Sequence, residues 1–382
     1  MGRFKWLVTL LFVSLIILMV AACAAPSPTP PPKPPPTTTP PKAAYGPEWD
    51  KIIAAAKQEG ELTGYGVEFV DARGKALQDS FGAKYGIKIN GVGGLGAQQY
   101  ERLKTEIATG QVVADITAFT MMQQTMANNE GFLQEFVSKC PEWELTKATA
   151  WKADPTRFDG KVFFAQGTVW GPMINTTLVK DADIPTSLMD CLDPKWKDKL
   201  VIDSPTLQAV IYRLYQIMPQ MGINRDDFFT KLGKNNPMVK AGIYDVGNAV
   251  KDGNASMAPT MYYQFVSQQR PAGAPIKICS VKEGWFFSEG TVLSLPKKVP
   301  HPNAALLFLN WYMTTEGVKA VTEAAKQTMV LRKDMQDYWD MAGIAGQIPS
   351  KIIYLTPQDY QDVVANQKTG KLEQLMGLPV LK

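Results

Sequence analysis

Two phenols stand side by side at Tyr262 and Tyr263, in the stretch Met257-Ala-Pro-Thr-Met-Tyr-Tyr-Gln-Phe265. Neighbouring side chains point to opposite faces of a strand and diverge by about 100° on a helix. The pair is therefore either two separate packing residues or one site where a loop enters a helix. Phenol ionises at about pH 10 unaided, so at neutral pH each ring carries a hydroxyl that can donate or accept a hydrogen bond. A second group is the glycine loop Gly91-Val-Gly93-Gly94-Leu-Gly96. Glycines ahead of a helix offer bare N–H groups and a positive dipole end to an anion. The same spacing matches a dinucleotide fingerprint. Against that, Asp115 precedes the apolar run Ile116–Phe119 instead of ending the second strand, and the stretch before the loop is short and alternating. A nucleotide cofactor is not expected, whereas Gly93, Gly94 and Gly96 remain candidate ligand contacts. Catalytic groups are sparse. The one histidine, His301, sits between two prolines, and neither GxSxG nor HExxH occurs. Met121, Met122 and Met126 lie near helical spacing, which suits core packing better than soft-metal binding. An enzyme is not expected, and no catalytic residue is assigned.

The elements that must position these groups alternate between strand and helix. Pro47–Leu62 predicts an amphipathic helix stopped at Gly60, followed by a strand into the loop Tyr65-Gly-Val-Glu68. A second helix closes at Gly86, a strand leads to the glycine loop, a third helix follows, and Val112–Thr120 predicts another strand. Lys161–Thr176 is strand-rich, Lys199–Asp203 a strand, Thr206–Gly222 a helix, and Ala255–Thr260 a short strand. Short connections between alternating elements predict βαβ units and a mainly parallel sheet covered by helices.

The ends of the chain carry addressing information. Arg3 and Lys5 precede an apolar run, and Val20-Ala-Ala-Cys23 matches a bacterial lipobox. Residues 1–22 are expected to be an export signal, with Cys23 lipidated. The transmembrane alternative has no use for that cysteine. Residues 26–42 are so rich in proline that they favour extended polyproline II, a stiff leash of roughly 50 Å at about 3.1 Å per residue. The folded part is thus expected outside the cytoplasmic membrane, tethered through residues 23–44. The formal net charge is +4, two of which come from Arg3 and Lys5. That leaves no polybasic footprint for nucleic acid. Cys140, Cys191 and Cys279 show no CxxC spacing and allow at most one intramolecular disulfide. The length from Tyr45 to Lys382 predicts two lobes.

Four stretches resemble one family. Glu48–Gly66 looks like its opening helix and first strand. Leu192–Thr206 is similar to its PxWKxKL connection. Val299–Gly317, with the HPNAA pattern, looks like its long helix after a proline turn. Thr328–Met335 resembles its R-x-D segment, with Arg332 and Asp334. The chain thereby resembles the bacterial solute-binding lipoproteins that feed ABC importers, in the branch that includes ferric-iron-binding proteins. The resemblance implies a type II periplasmic-binding-protein fold: two α/β lobes, two crossing segments, and a cleft that closes on a small-molecule solute. It also implies an ABC permease as the partner that reads the closed state, and a monomer. Lobe 1 is expected over residues 45–150 plus about 280–325, lobe 2 over about 151–279 plus 326–382, with crossings near 145–170 and 265–280. His301 becomes scaffold.

In open parallel sheets, ligands bind beyond the carboxyl ends of the strands. Those ends give the candidate contacts Tyr65, Glu68, Gly93, Gly94, Gly96, Thr120, Trp170, Ser204, Thr206, Tyr262 and Tyr263. Iron-binding relatives use two adjacent tyrosines, which the resemblance places at Tyr262 and Tyr263. They generally add a histidine or an acid from the first lobe. Here the corresponding loop has no histidine, although Glu68 and Asp71 could supply oxygen, and Ala97 and Gln98 stand where an acid belongs. The expected solute is therefore a small, organic and anionic one, held between aromatic walls (Tyr65, Trp170, Tyr262, Tyr263) and the hydroxyls of Thr120, Ser204 and Thr206. Ferric iron through Tyr262 and Tyr263 is the alternative. A sensing lipoprotein and a secreted enzyme are the readings from other classes.

Overall fold

The computed structural model describes residues 45–381 apart from residues 95, 209, 326–328 and 336–350. The expected export signal, Cys23 and the proline-rich leash lie outside the described residues. Helix α1 (Pro47–Glu59) opens the fold. Pro47 pre-sets its first turn, Glu48 and Asp50 suit its positive end, and Gly60 stops it in the left-handed conformation. Strands β1 (Glu61–Tyr65), β2 (Lys88–Val92) and β3 (Ile116–Phe119) follow, with α2 (Asp71–Leu77) and α3 (Gly96–Thr109) between them. β1 pairs parallel to both β2 and β3, as the strand–helix alternation predicts. Then come α4 (Met121–Asn129), β4 (Leu133–Gln134), β5 (Thr156–Arg157) and β6 (Val162–Phe164).

A single residue separates β6 from β7 (Gln166–Asn175), the central strand of a second sheet, in which all ten residues are buried. The chain continues through β8 (Val201–Asp203), α5 (Val210–Ile217), β9 (Met238–Lys240), α6 (Ile243–Lys251), β10 (Met257–Tyr262), α7 (Tyr263–Gln269), β11 (Ile276–Ile278) and β12 (Trp285–Glu289). It then returns through β13 (Val292–Pro296), α8 (Pro302–Met313) and α9 (Thr315–Ala325), and closes with β14 (Met329–Val330), β15 (Ile352–Tyr354) and α10 (Pro357–Asn366). The first sheet has the order β2-β1-β3-β13-β6-β5, with β4 on β13; the second has β10-β7-β12-β15, with β11 and β14 also on β7. The two sheets with their helices are the two α/β lobes.

The first crossing falls within the expected 145–170, late in that window, while the second lies beyond the expected 265–280. β5 and β6 complete the first sheet, β6 pairing with β13, so the first passage is at Ala165 and not at residue 150. β12 pairs with β7, so the return is at Gly290–Thr291 and not near residue 280. Both crossings are near-continuations of strands, and no change of periodicity marks them in the sequence. Their placement fixes the cleft. β1, β2, β3 and β6 end, and β13 begins, on the side where β7 begins and β12 ends. Lobe 1 thus turns the loops after β1, β2 and β3 towards lobe 2. On one side of that gap α4 packs against α10.

Lobe 1 is held by α8 on α1 and α9 on α2, with Phe81 in ring contact with both Phe308 and Trp311. His301 is scaffold here. Its backbone N–H and its Nδ1 both meet the buried Asp115 carboxylate, at 2.7 and 2.9 Å. The R-x-D segment is a clamp, Arg332 forking onto Asp334 at 2.9 and 3.0 Å and capping the Met313 carbonyl at 2.6 Å. Cys140, Cys191 and Cys279 are all free and buried. Burial pushes the Cys279 thiol up to about 12 and holds the other two well above their ordinary range.

Candidate functional site

The aromatic row on lobe 2 is built by register. Trp170 on β7 pairs with Tyr262 on β10 and with Phe286 on β12, so three rings lie side by side on one face of the sheet. The Trp170 ring stands 5.1 Å from Tyr262 and is stacked on Phe286 at 5.7 Å and 6°. Such pairs add about 0.5–1.5 kcal/mol each beyond their buried area. Tyr244, on α6, continues the row edge-on to Tyr262 at 5.9 Å and is 62% exposed.

Tyr263 does not join this row. Trp170 and Gly171 are consecutive on β7 and face opposite sides. Trp285 occupies the Gly171 side so closely that a Cβ there would lie 2.5 Å from its Nε1. The Tyr263 ring packs on that same Trp285, at 5.8 Å. The two neighbouring phenols therefore lie on opposite faces of the sheet, because β10 runs through Tyr262 and α7 begins only at Tyr263. The expectation that both rings face one ligand is corrected by this arrangement. Burial holds both phenols well above their ordinary pKa.

Other expected contacts are already engaged. Tyr65 is buried in lobe 1, its hydroxyl on Glu106 and Arg102 over its ring at 4.8 Å, so it forms no wall with Trp170. Glu68 turns inward, 3.4 Å from both Arg73 and the Thr291 hydroxyl, beside a small apolar pocket that Phe308 and Tyr312 also line. Burial raises its pKa. Thr120 is exposed, and its hydroxyl donates to Gln123. The Ser204 hydroxyl accepts from Leu207 N at 3.3 Å and the Thr206 hydroxyl donates to Glu373 at 2.6 Å, both tying down the turn ahead of α5. In the glycine loop, a Cβ at Gly91 would lie 1.9 Å from the Phe69 carbonyl oxygen. Gly94 holds φ 141°, which favours glycine. Gly91 therefore seats the loop after β1, while Gly93, Gly94 and Gly96 lead into the N-terminus of α3 at the cleft.

Several residues at the cleft floor escaped the sequence reading. Arg157 reaches Glu289 at 3.6 Å, and both are largely buried, at 11% and 1% exposure. The Tyr360 hydroxyl donates to the other Glu289 oxygen, and Arg213 donates to the Ser288 hydroxyl at 3.3 Å. Their signal was a lone charge in an apolar run: Arg213 in VIYRLYQI and Glu289 in WFFSEG. Several polar atoms around these residues are buried without a hydrogen-bond partner. Trp170 Nε1, Gln166 Nε2, Arg157 Nε and Arg213 Nε are donors only. The Tyr262 and Thr260 hydroxyls share that condition and can donate or accept. Glu289 Oε1 is an acceptor in the same condition, so the unpaired donors outnumber the unpaired carboxylate oxygen here.

Comparison with known proteins bears on this arrangement. The family model described as bacterial extracellular solute-binding protein matches residues 64–319. Iron-bound HitA from Pseudomonas aeruginosa is similar in structure, with a TM-score of 0.63 and 20% identity over 83% of this chain and 99% of that one. IdiA (FutA) from Trichodesmium, in complex with iron and citrate, gives 0.67 and 18% over 84% and 100%. AfuA from Actinobacillus pleuropneumoniae, with fructose-6-phosphate bound, gives 0.60 and 18% over 84% and 99%. No curated protein matches the chain.

Proposed function

Because the chain belongs to the bacterial extracellular solute-binding protein family, and so binds a solute instead of transforming one, we propose that it captures a small organic anion between its lobes and delivers it to an ABC permease. It does so as a lipoprotein anchored through Cys23. The observation that carries the ligand class is the excess of unpaired donors on the cleft floor: Trp170 Nε1, Gln166 Nε2, Arg157 Nε and Arg213 Nε. A buried donor without a partner is costly, and an oxyanion is the partner that satisfies several at once. Fe³⁺ requires the reverse, a set of oxygen ligands. The divergence of Tyr262 from Tyr263 also weighs against a shared ferric ion. Organic anions occur among the structural neighbours, as citrate and as fructose-6-phosphate. The aromatic row Phe286–Trp170–Tyr262 offers the solute's carbon body an apolar wall.

A thermal-shift screen of the full chain against organic acids and against ferric iron tests the ligand class. The expected outcome is stabilisation by organic anions and no visible colour with iron. A phenolate-to-iron absorption band that vanishes in Tyr262→Phe would overturn the anion reading. For transport, uptake of the solute should cease when the gene is deleted. Intact uptake would leave a sensory role instead.

A further inference from the structure

The cleft floor also limits the charge of the solute, an inference that rests on the organic-anion reading. Arg157 and Arg213 approach the crossings from different lobes. Arg157 is engaged with Glu289 at 3.6 Å. Arg213 makes no ion pair among the described residues, and its one hydrogen bond goes to the neutral Ser288 at 3.3 Å. Its charge acts on two carboxyls, Glu289 and Asp203. Asp203 accepts the backbone N–H groups of Val210 and Ile211 at 3.0 and 3.1 Å, holding the start of α5. Two guanidinium groups thus stand against two carboxyls, both fully buried. Arg157 and Glu289 face each other, and burial pushes Asp203 up to about 7, so Arg213 is the cation of the cluster whose charge is least balanced.

Arg213 also lies on the correct face to meet a ligand. Ser288 is two residues from Phe286 on β12 and points the same way, and Phe286 pairs with Trp170. A carboxylate beside Arg213 would find the idle Nε of that guanidinium, with Trp170 Nε1 and the Tyr262 hydroxyl on the same face. A guanidinium with neutral donors suits one carboxylate. A second negative charge would meet Glu289, with no cation left to pair it, and uncompensated buried charge is strongly disfavoured.

We infer that the solute is a singly charged organic carboxylate with a flat or apolar body, that Arg213 is the residue that pairs its charge, and that Glu289 excludes a second one. Calorimetry on the full chain in detergent micelles at pH 7 tests this with acetate, lactate and benzoate against succinate and phthalate. At least one monocarboxylate should bind, roughly 10-fold or more tighter than any dicarboxylate, a gap of about 1.4 kcal/mol. Arg213→Gln should weaken it about 10- to 100-fold, and Glu289→Gln should narrow the gap by improving the dicarboxylates. Should either variant not fold, the wild-type panel still decides the matter. Dicarboxylates binding as tightly as monocarboxylates, no monocarboxylate binding at all, or an unaltered affinity in Arg213→Gln would overturn the inference. Dicarboxylate binding would leave the organic-anion reading standing. Binding of ferric iron with none of the acids would remove both.

Discussion

A buried hydroxyl without a hydrogen bond of good geometry costs about 1–3 kcal/mol, and Tyr262 carries one at the cleft, with only the exposed Tyr244 hydroxyl acting on it. Tyr262→Phe should therefore leave the melting temperature unchanged or raise it while weakening solute binding. A melt and a titration of the same variant check both halves. Asp203 gives a pH signature. Burial lifts its folded pKa from 3.8 to about 7, while the unfolded carboxyl ionises at about 4. Between those values the folded state retains a proton that the unfolded chain has lost, so stability falls as pH rises through the window and levels off above it. At about 1.4 kcal/mol per pH unit the ceiling is a few kcal/mol. Urea unfolding at pH 5 and pH 8 should show this loss, and Asp203→Asn should reduce it. A pH dependence identical in wild type and variant would exclude Asp203 as its source. At this scale the sequence reading found Tyr262 and Trp170 because aromatics after strands are conspicuous. It missed Arg157, Arg213 and Glu289, since their contacts are made between residues far apart in the chain, Arg157 with Glu289 and Arg213 with Ser288, which only the folded surroundings bring together. It also misjudged Tyr65, whose hydroxyl is satisfied by Glu106 from α3, a residue 41 positions away.

Among the elements, β7 organises lobe 2. It pairs with β10, β11, β12 and β14, and its two faces serve different ends, with the Trp170 side turned to the aromatic row and the Gly171 side filled by Trp285. Gly171→Ala would place a methyl 2.5 Å from Trp285 Nε1, an atom that also donates to the Cys279 carbonyl at 2.8 Å. Overpacking of this kind costs about 1–3 kcal/mol. Chemical denaturation should register that loss, and the displaced Trp285 should alter the tryptophan emission. A variant as stable as the parent would show that the face yields. The alternation of strands and helices in lobe 1 was legible because its short connections carry glycine and proline. The crossing into β7 was not. Only Ala165 separates it from β6, and Lys161–Thr176 reads as one strand-rich stretch with no turn signal at the crossing.

The molecule as a whole is two lobes joined at points where buried charge is concentrated. Arg157 belongs to the first sheet and Glu289 to the second, so their contact at 3.6 Å ties the lobes at the return crossing. Removing one member of a buried pair leaves the other uncompensated, at about 3–5 kcal/mol. Arg157→Met alone should therefore destabilise strongly, and adding Glu289→Met should recover most of the loss. Additive losses in urea unfolding would show that the two residues are not coupled.

The three sheltered thiols give each lobe its own clock. Cys140 lies in lobe 1, and Cys191 and Cys279 in lobe 2, Cys191 Sγ being 3.8 Å from Met257 Sδ. None can meet an alkylating reagent until its surroundings open, and none is held by a bond that refolding must remake. Timed alkylation followed by peptide mass measurement would read the opening rate of each half separately, with no engineered probe. A solute that grips both halves should slow the two clocks together.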